Sequence, residues 1–386
     1  MKKILKGRDA LKFFHLSDLH IGKRLCEFSL IEDQRYILER IIDYARDEHP
    51  DAVLIAGDVY DKTVPSAEAV QVFDDFLHSL SELCPHIFAV AGNHDSPERL
   101  AFAARMLDSA GIHISPVWDG CPTSVTLADE FGELDVFMLP FIKPVQAARF
   151  FPDAAIETYT DAVAAAIAAM QIDPSRRNVL VTHQFVTGAA RCESEELSLG
   201  GADNVDAAVF DPFDYVALGH IHGPQHVGRP TLRYCGTPLK YSFSEAGHSK
   251  SVTVVTMLEK GNVQLRTLPL VPLRDMRELR GSFEELISRE NRARTEDYIH
   301  ITLTDEDEVP DAISRLREVY PNIMRLDYDN SRTRAAALVD TLAQVGGKTP
   351  LQLFEELFER QNGRPMSEVQ REYVGALVAE IWEGEL

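Results

Sequence analysis

Positive charge is scarce in this chain. Lysine and arginine total 39 against 61 aspartates and glutamates in 386 residues, a formal net charge of −22. Such a surface repels nucleic acid at long range unless cations gather locally or metal ions supply them. The deficit is not a tail effect, because 14 basic residues face 24 acidic ones from Asp275 onward. It is a general surface property, useful mainly for solubility. Long hydrophobic runs are missing too. No stretch approaches the roughly 18 consecutive apolar residues of a membrane span. The apolar start at Lys12-Phe13-Phe14 lies between charges, without a signal-peptide core. No membrane role is expected. Cysteines number five (Cys26, Cys84, Cys121, Cys192, Cys235), widely spread and never in a C-x-x-C pair. That excludes a disulfide framework and predicts free thiols in a reducing compartment, the cytoplasm. Repeats and low-complexity segments are absent as well.

What is present is ordinary globular material, 45% hydrophobic and 26% charged, long enough for two or three domains with real cores. After a polar lead-in over residues 1–11, short apolar runs alternate with helical patterns. Strands are predicted at Lys12–Ser17, Ala52–Ala56, Ile87–Ala91, Asp135–Leu139, Val179–Thr182 and Tyr215–Leu218. Helical spacing marks Leu30–Arg46, Ala67–Leu83 and Leu100–Leu107, the last behind the start signal Ser96-Pro97. Strands alternating with helices predict an α/β sheet. From Thr231 to Leu268 the pattern turns to β. Near Val271-Pro272-Leu273 the texture changes, which divides the chain into a main domain over 12–273, a small α/β domain over 275–345 and a helical hairpin over 349–386.

Chemistry-bearing residues collect after the predicted strands. Asp18-Leu19-His20, Gly57-Asp58, Gly92-Asn93-His94-Asp95, His183 and Gly219-His220-Ile221-His222 follow five of them. In α/β sheets the loops at strand carboxyl ends hold functional groups over a rigid frame. Mixed imidazole, carboxylate and amide donors suit Mn, Zn or Fe, whereas Mg and Ca sites usually lack imidazole. The donors outnumber what one ion uses, and two ions sharing a carboxylate explain the excess. Each fragment alone is a weak signal, since a lone His is more often structural; five in order are not.

Taken together, Asp18-x-His20, Gly57-Asp58-x-x-Asp61, Gly92-Asn93-His94-Asp95, His183 and Gly219-His220-x-His222 resemble the ordered motifs of the calcineurin-like metallophosphoesterases. The flanking segments His15–Gly22 and Cys235–Glu245 are similar, more narrowly, to the SbcD branch, the nuclease subunits of bacterial SbcCD DNA-repair exonucleases. This resemblance implies a β-sandwich flanked by helices (four-layer αββα), a small α/β cap and a C-terminal helical hairpin. It implies two manganese ions, one on Asp18, His20, Asp58 and His222, the other on Asp58, Asn93, His183 and His220. His94 would face the phosphate and protonate the leaving oxygen or stabilise its charge, with Asp95 nearby to orient it. Archaeal and eukaryotic relatives carry a His three residues after the bridging Asp; this chain has Asp61, as bacterial members do. The implied partners are DNA, a second copy of the chain, and an SbcC-like coiled-coil ATPase gripped by the hairpin.

The C-terminal third carries softer signals. Arg277, Arg280, Arg289, Arg292, Arg294, Arg315, Arg317, Arg325, Arg332 and Arg334 concentrate guanidinium, which suits phosphate, in the cap. Interleaved Glu284, Glu285, Glu290 and Glu296 fit a merely solvated face equally well. In the hairpin, Leu351, Phe354, Leu357 and Phe358, then Val369, Tyr373, Val374, Leu377, Val378, Ile381 and Trp382, fall at helical spacing. Such a stripe serves a partner helix or the hairpin's own packing. Two enzyme readings follow: a manganese-dependent DNA exo/endonuclease with an ATPase partner, or a small-molecule or nucleotide phosphoesterase on the same site.

Overall fold

The computed structural model describes residues 10–193, 195, 203–288, 294–334, 350–362 and 364–383. Nearly all of the lead-in, Arg289, Arg292, the 341–349 link and the side chains of Ile381 and Trp382 lie outside the described residues. The chain divides into two units, Met1–Met276 and Arg277–Leu386.

The first unit is two stacked six-stranded sheets between helices. Its strands are Leu11–Leu16 (β1), Ala52–Ala56 (β2), His86–Val90 (β3), Ile112–Ile114 (β4), Thr123–Asp129 (β5), Gly132–Leu139 (β6), Arg177–His183 (β7), Tyr215–Gly219 (β8), Gln225–Val227 (β9), Arg229–Tyr234 (β10), Ser251–Met257 (β11) and Val263–Pro269 (β12). One sheet runs β12-β11-β1-β2-β3-β4 and the other β9-β10-β8-β7-β6-β5. In each, four neighbouring strands are parallel: β1 to β4, and β6, β7, β8 and β10. Strands β2 and β7 are buried along their whole length, as expected of parallel strands covered on both faces. Phe13, Leu54, Phe88 and Val90 of one sheet meet Val136, Met138, Val179 and Ala217 of the other in the inner core.

Helices complete the four layers. Ile31–Glu48 (α1) buries Ile37, Leu38, Ile41 and Ala45 and stops at His49, which turns left-handed at φ 49°. Ala67–Ser81 (α2) starts where the Ser66 hydroxyl accepts the Ala69 N–H at 3.1 Å, a side-chain cap on an otherwise orphaned donor. On the second sheet, Tyr159–Ala169 (α3) packs Ala162, Val163, Ala166 and Ile167 against Leu180, Val216 and Leu218. The helix expected over Leu100–Leu107 is broken instead. Two single turns, Pro97–Leu100 and Ala104–Leu107, flank Ala103, whose φ of 60° is incompatible with a continuous helix.

The second unit has a three-stranded sheet of Met276–Gly281 (β13), Tyr298–Leu303 (β14) and Ile323–Tyr328 (β15), with Phe283–Ile287 (α4) and Ala312–Arg317 (α5). Phe283, Leu286, Ile299, Ile301, Leu316 and Tyr320 form its core. Pro350–Asn362 (α6) and Glu368–Glu383 (α7) make the hairpin. The Ser367 capping box holds, with Ser367 N–H on Gln370 Oε1 at 3.0 Å. Phe354, Val369, Tyr373 and Leu377 are exposed.

Candidate metal centre

The motif residues meet where parallel strands of both sheets end. Asp18 follows β1, Asp58 follows β2, Asn93 follows β3, His183 closes β7 and His220 follows β8. The first two loops run side by side: Asp18 N–H donates to Gly57 O at 3.0 Å and His20 N–H to Asp58 O at 2.9 Å. Asp18, His20, Asp58 and His220 all hold positive φ (52°, 44°, 49° and 102°). For residues with a Cβ this conformation is costly, and such strain gathers at functional sites. Two glycines allow the crowding. A Cβ on Gly92 would sit 2.1 Å from Asp58 Oδ1, and one on Gly57, at φ +85°, 2.4 Å from His183 Nδ1.

All seven residues expected to bind metal are brought together. Around Asp58 Oδ2 stand His183 Nε2 at 3.4 Å, His20 Nε2 at 3.7 Å and His94 Nε2 at 4.0 Å. Asn93 Oδ1 lies 2.9 Å from both His183 Nε2 and His220 Nδ1. His20 Nε2 and His222 Nε2 face one another at 3.2 Å. The Asp18 carboxylate accepts His220 N–H at 3.0 Å. Among the described residues, three sets of groups lie close enough to hold an ion: Asp18, His20 and His222; Asp18, Asp58 and His183; and His20, Asp58 and His94.

Electrostatics fits a cation here. Burial, with Asp58 beside it, pushes the Asp18 carboxyl up to about 7 against the pull of His183. Burial also raises Asp58, but His183, His20 and His94 outweigh it and hold that carboxyl well below its usual range. His183, lowered by burial, is carried up to about 9 by Asp58 and Asp18. His220 is pushed down to about 3 by burial and its histidine neighbour His183. The Asp58 carboxylate and the neutral His220 ring thus converge in a buried space, where the proton on His183 is the one a metal ion would displace. His183 Nδ1 lies 2.9 Å from the Ala56 carbonyl, which places its proton there and turns Nε2 inward as a ligand.

The support expected for His94 differs in detail. Asp95 spends its carboxylate on the backbone N–H groups of Val59 (3.1 Å), Tyr60 (2.9 Å) and Gly92 (2.9 Å). It ties two ligand loops together, while His94 is oriented by the Asp61 carbonyl, 3.2 Å from Nδ1. Asp61 itself accepts from Lys23 Nζ at 2.8 Å, so a cation does stand beside the cluster. Lys23, Glu195, Glu245 and Lys250 were not expected in the site. Only Glu245 carried a signal, as the last residue of the Cys235–Glu245 segment.

The calcineurin-like phosphoesterase family pattern matches residues 11–224, more than half of the chain and every residue of the cluster. The chain is also 30% identical to the SbcD component of the nuclease SbcCD of Staphylococcus epidermidis over 383 residues, 97% of this chain and 100% of that protein. This chain is an SbcD-like calcineurin-like metallophosphoesterase. Its C-terminal part, residues 272–362, matches the type 5 capsule protein repressor C-terminal domain that SbcD-like chains carry. Among solved structures it is similar to a dimetal phosphatase from Danio rerio (TM-score 0.43, 11% identity, 68% of this chain and 98% of that one). It is similar too to TT1561 of Thermus thermophilus (TM-score 0.38, 13% identity, 67% and 99%). At such scores neither likeness adds to the assignment. An SbcD-like metallophosphoesterase with these His and Asp clusters is a metal-dependent hydrolase. Among the described residues no helix is long and apolar enough to cross a membrane.

Proposed function

We propose that this chain is the nuclease subunit of an SbcCD-like complex, a manganese-dependent exo/endonuclease that processes DNA ends and hairpins in the cytoplasm. Asp18, His20, Asp58 and His222 would hold one divalent ion, and Asp58, Asn93, His183 and His220 the other. Bound there, Mn2+ supplies Lewis acidity toward the phosphodiester and acidifies a water. The chain's own residues do the rest. Asp58 shares its charge between the two ligand groups, with Oδ1 fixed by the His94 N–H at 2.9 Å. His94 is partly open to solvent, as Asn93 is, whereas the six other proposed ligands are buried. With Nδ1 donating to the Asp61 carbonyl, it is the imidazolium form of His94 whose Nε2 carries a proton to give to the leaving oxygen.

The observation that carries the DNA reading is similarity over the full length of a nuclease subunit, cap and hairpin included. The exposed Phe354, Tyr373 and Leu377 support the hairpin as the grip on the ATPase coiled coil. Within the complex the chain would pair with a second copy. Manganese-dependent cleavage of linear and hairpin DNA, set against hydrolysis of a nucleotide panel, tests the proposal. Nucleotide turnover without DNA cleavage would favour the small-molecule phosphoesterase. Changing Phe354 and Phe358 together to Asp should abolish co-purification with the ATPase while leaving hydrolysis of bis-p-nitrophenyl phosphate intact; undiminished binding would move the interface elsewhere.

A further inference from the structure

His222 is held on three sides by charged groups outside the ligand clusters. Glu195 Oε1 accepts its N–H at 2.7 Å, and Lys250 Nζ donates to its carbonyl at 2.9 Å. Glu245 Oε1 stands 3.5 Å from its Nδ1, on the side of the ring away from His20. Glu245 is fully buried and pairs with buried Lys250 at 2.5 Å. The same carboxylate takes the Tyr241 N–H at 3.2 Å and the Ser242 hydroxyl at 3.2 Å, and Lys250 also reaches Thr237 Oγ1 at 2.6 Å. The whole segment from Thr237 to Glu245 is therefore folded around one carboxylate. Tyr241 extends the frame to the other side, its hydroxyl donating to Leu19 O at 2.5 Å beside His20.

A buried ion pair is weak support for stability, because desolvating both charges offsets most of their attraction. Its placement asks for another explanation. A carboxylate on the far nitrogen of a metal-binding imidazole fixes the tautomer, orients the ring and raises its basicity.

We propose that Glu245, set by Lys250, is a positioning residue that holds the His222 ring with Nε2 toward the metal cluster and so sets the affinity of the Asp18–His20–His222 side for its ion. On the other side the hydrogen-bond partner of His183 Nδ1 is a neutral backbone carbonyl at 2.9 Å, with the nearest carboxylate, Asp18, at 4.0 Å. The two halves of the site then differ in their support, and Glu245 acts on one of them.

The proposal rests on the two-ion reading, and the test separates the two. Titrating Mn2+ into the metal-free full-length chain by calorimetry should give two ions for the wild type. A wild type that binds fewer than two overturns the two-ion reading itself. Glu245→Gln should weaken one of the two sites by roughly 10- to 100-fold and leave the other unchanged. Because that variant leaves Lys250 unpaired, the double variant Glu245→Gln with Lys250→Met is measured beside it. Removing both charges should recover thermal stability without recovering the weakened site. Two wild-type affinities in a folded double variant would make the pair purely structural and overturn the proposal; equal weakening of both sites would also overturn it.

Discussion

The two units use charge in opposite ways. In the first, Asp18, Asp58, His183 and His222 are buried and brace one another across loops from both sheets. In the second, arginines lie at the surface and close onto nearby carboxylates: Arg325 on Asp327 at 2.7 Å, Arg334 on Asp329 at 2.6 Å, with Arg280 on Asp329 as well. Exposed pairs of this kind contribute little, because solvent screens them. Charge bears on chemistry where burial removes the solvent that would screen it. An arginine-rich composition does not, on its own, mark a phosphate-binding face.

The comparison can be broken at its strong end first. Asp58→Asn should keep the fold and abolish phosphodiester hydrolysis, since one lost anionic oxygen weakens both ligand groups. Normal turnover would remove Asp58 from the centre of the site. Next, His94→Gln should cut kcat by roughly 10²–10⁴-fold, the usual contribution of a proton donor, with metal stoichiometry intact. If the variant loses an ion instead, His94 belongs with the ligands, as its 4.0 Å approach to Asp58 allows.

A smaller effect concerns a buried histidine outside the site. His15, 2.8 Å from the Tyr215 hydroxyl, is pushed down to about 3 by burial, with Arg233 adding to it. It stays neutral in the fold and takes up a proton in the unfolded chain below about 6.5. Its contribution to stability is therefore complete near neutrality and declines as pH falls through that value, by about 2 kcal/mol at pH 5. Chemical denaturation of wild type and His15→Asn at pH 7.5 and 5 checks this: the variant, whatever its baseline, should lose about 2 kcal/mol less. Equal losses would put the acid sensitivity elsewhere. The smallest change is expected at the surface. Replacing Arg280, Arg325 and Arg334 together by Gln should alter the salt slope of DNA binding by less than the roughly 0.9 expected for one phosphate contact. A drop near three such contacts would restore the cap as a DNA face.

How much of this was legible follows from where the information lies. Fully buried strands such as Ala52–Ala56 announce themselves as apolar runs, and the sequence reading matches the observed ends there. Edge strand β5 does not, because Thr123–Asp129 alternates polar residues and is only partly buried. Helix α3 escaped notice since Tyr159–Ala169 is alanine-rich and apolar on most faces, with little periodicity to read. The candidate metal ligands were visible as short motifs after strands. Lys250 and Lys23 are ordinary charged residues in sequence and Glu245 showed only as the end of a motif; packing across the fold gives all three their meaning.

Counting ions on the full-length chain tests the shared-carboxylate centre most directly. Equilibrium dialysis against Mn2+ followed by elemental analysis should find two ions per wild-type chain. Asp58→Asn, at the same free Mn2+, should retain neither at full occupancy. A single ion in the wild type, or two ions held undiminished by the variant, would contradict a centre built around Asp58.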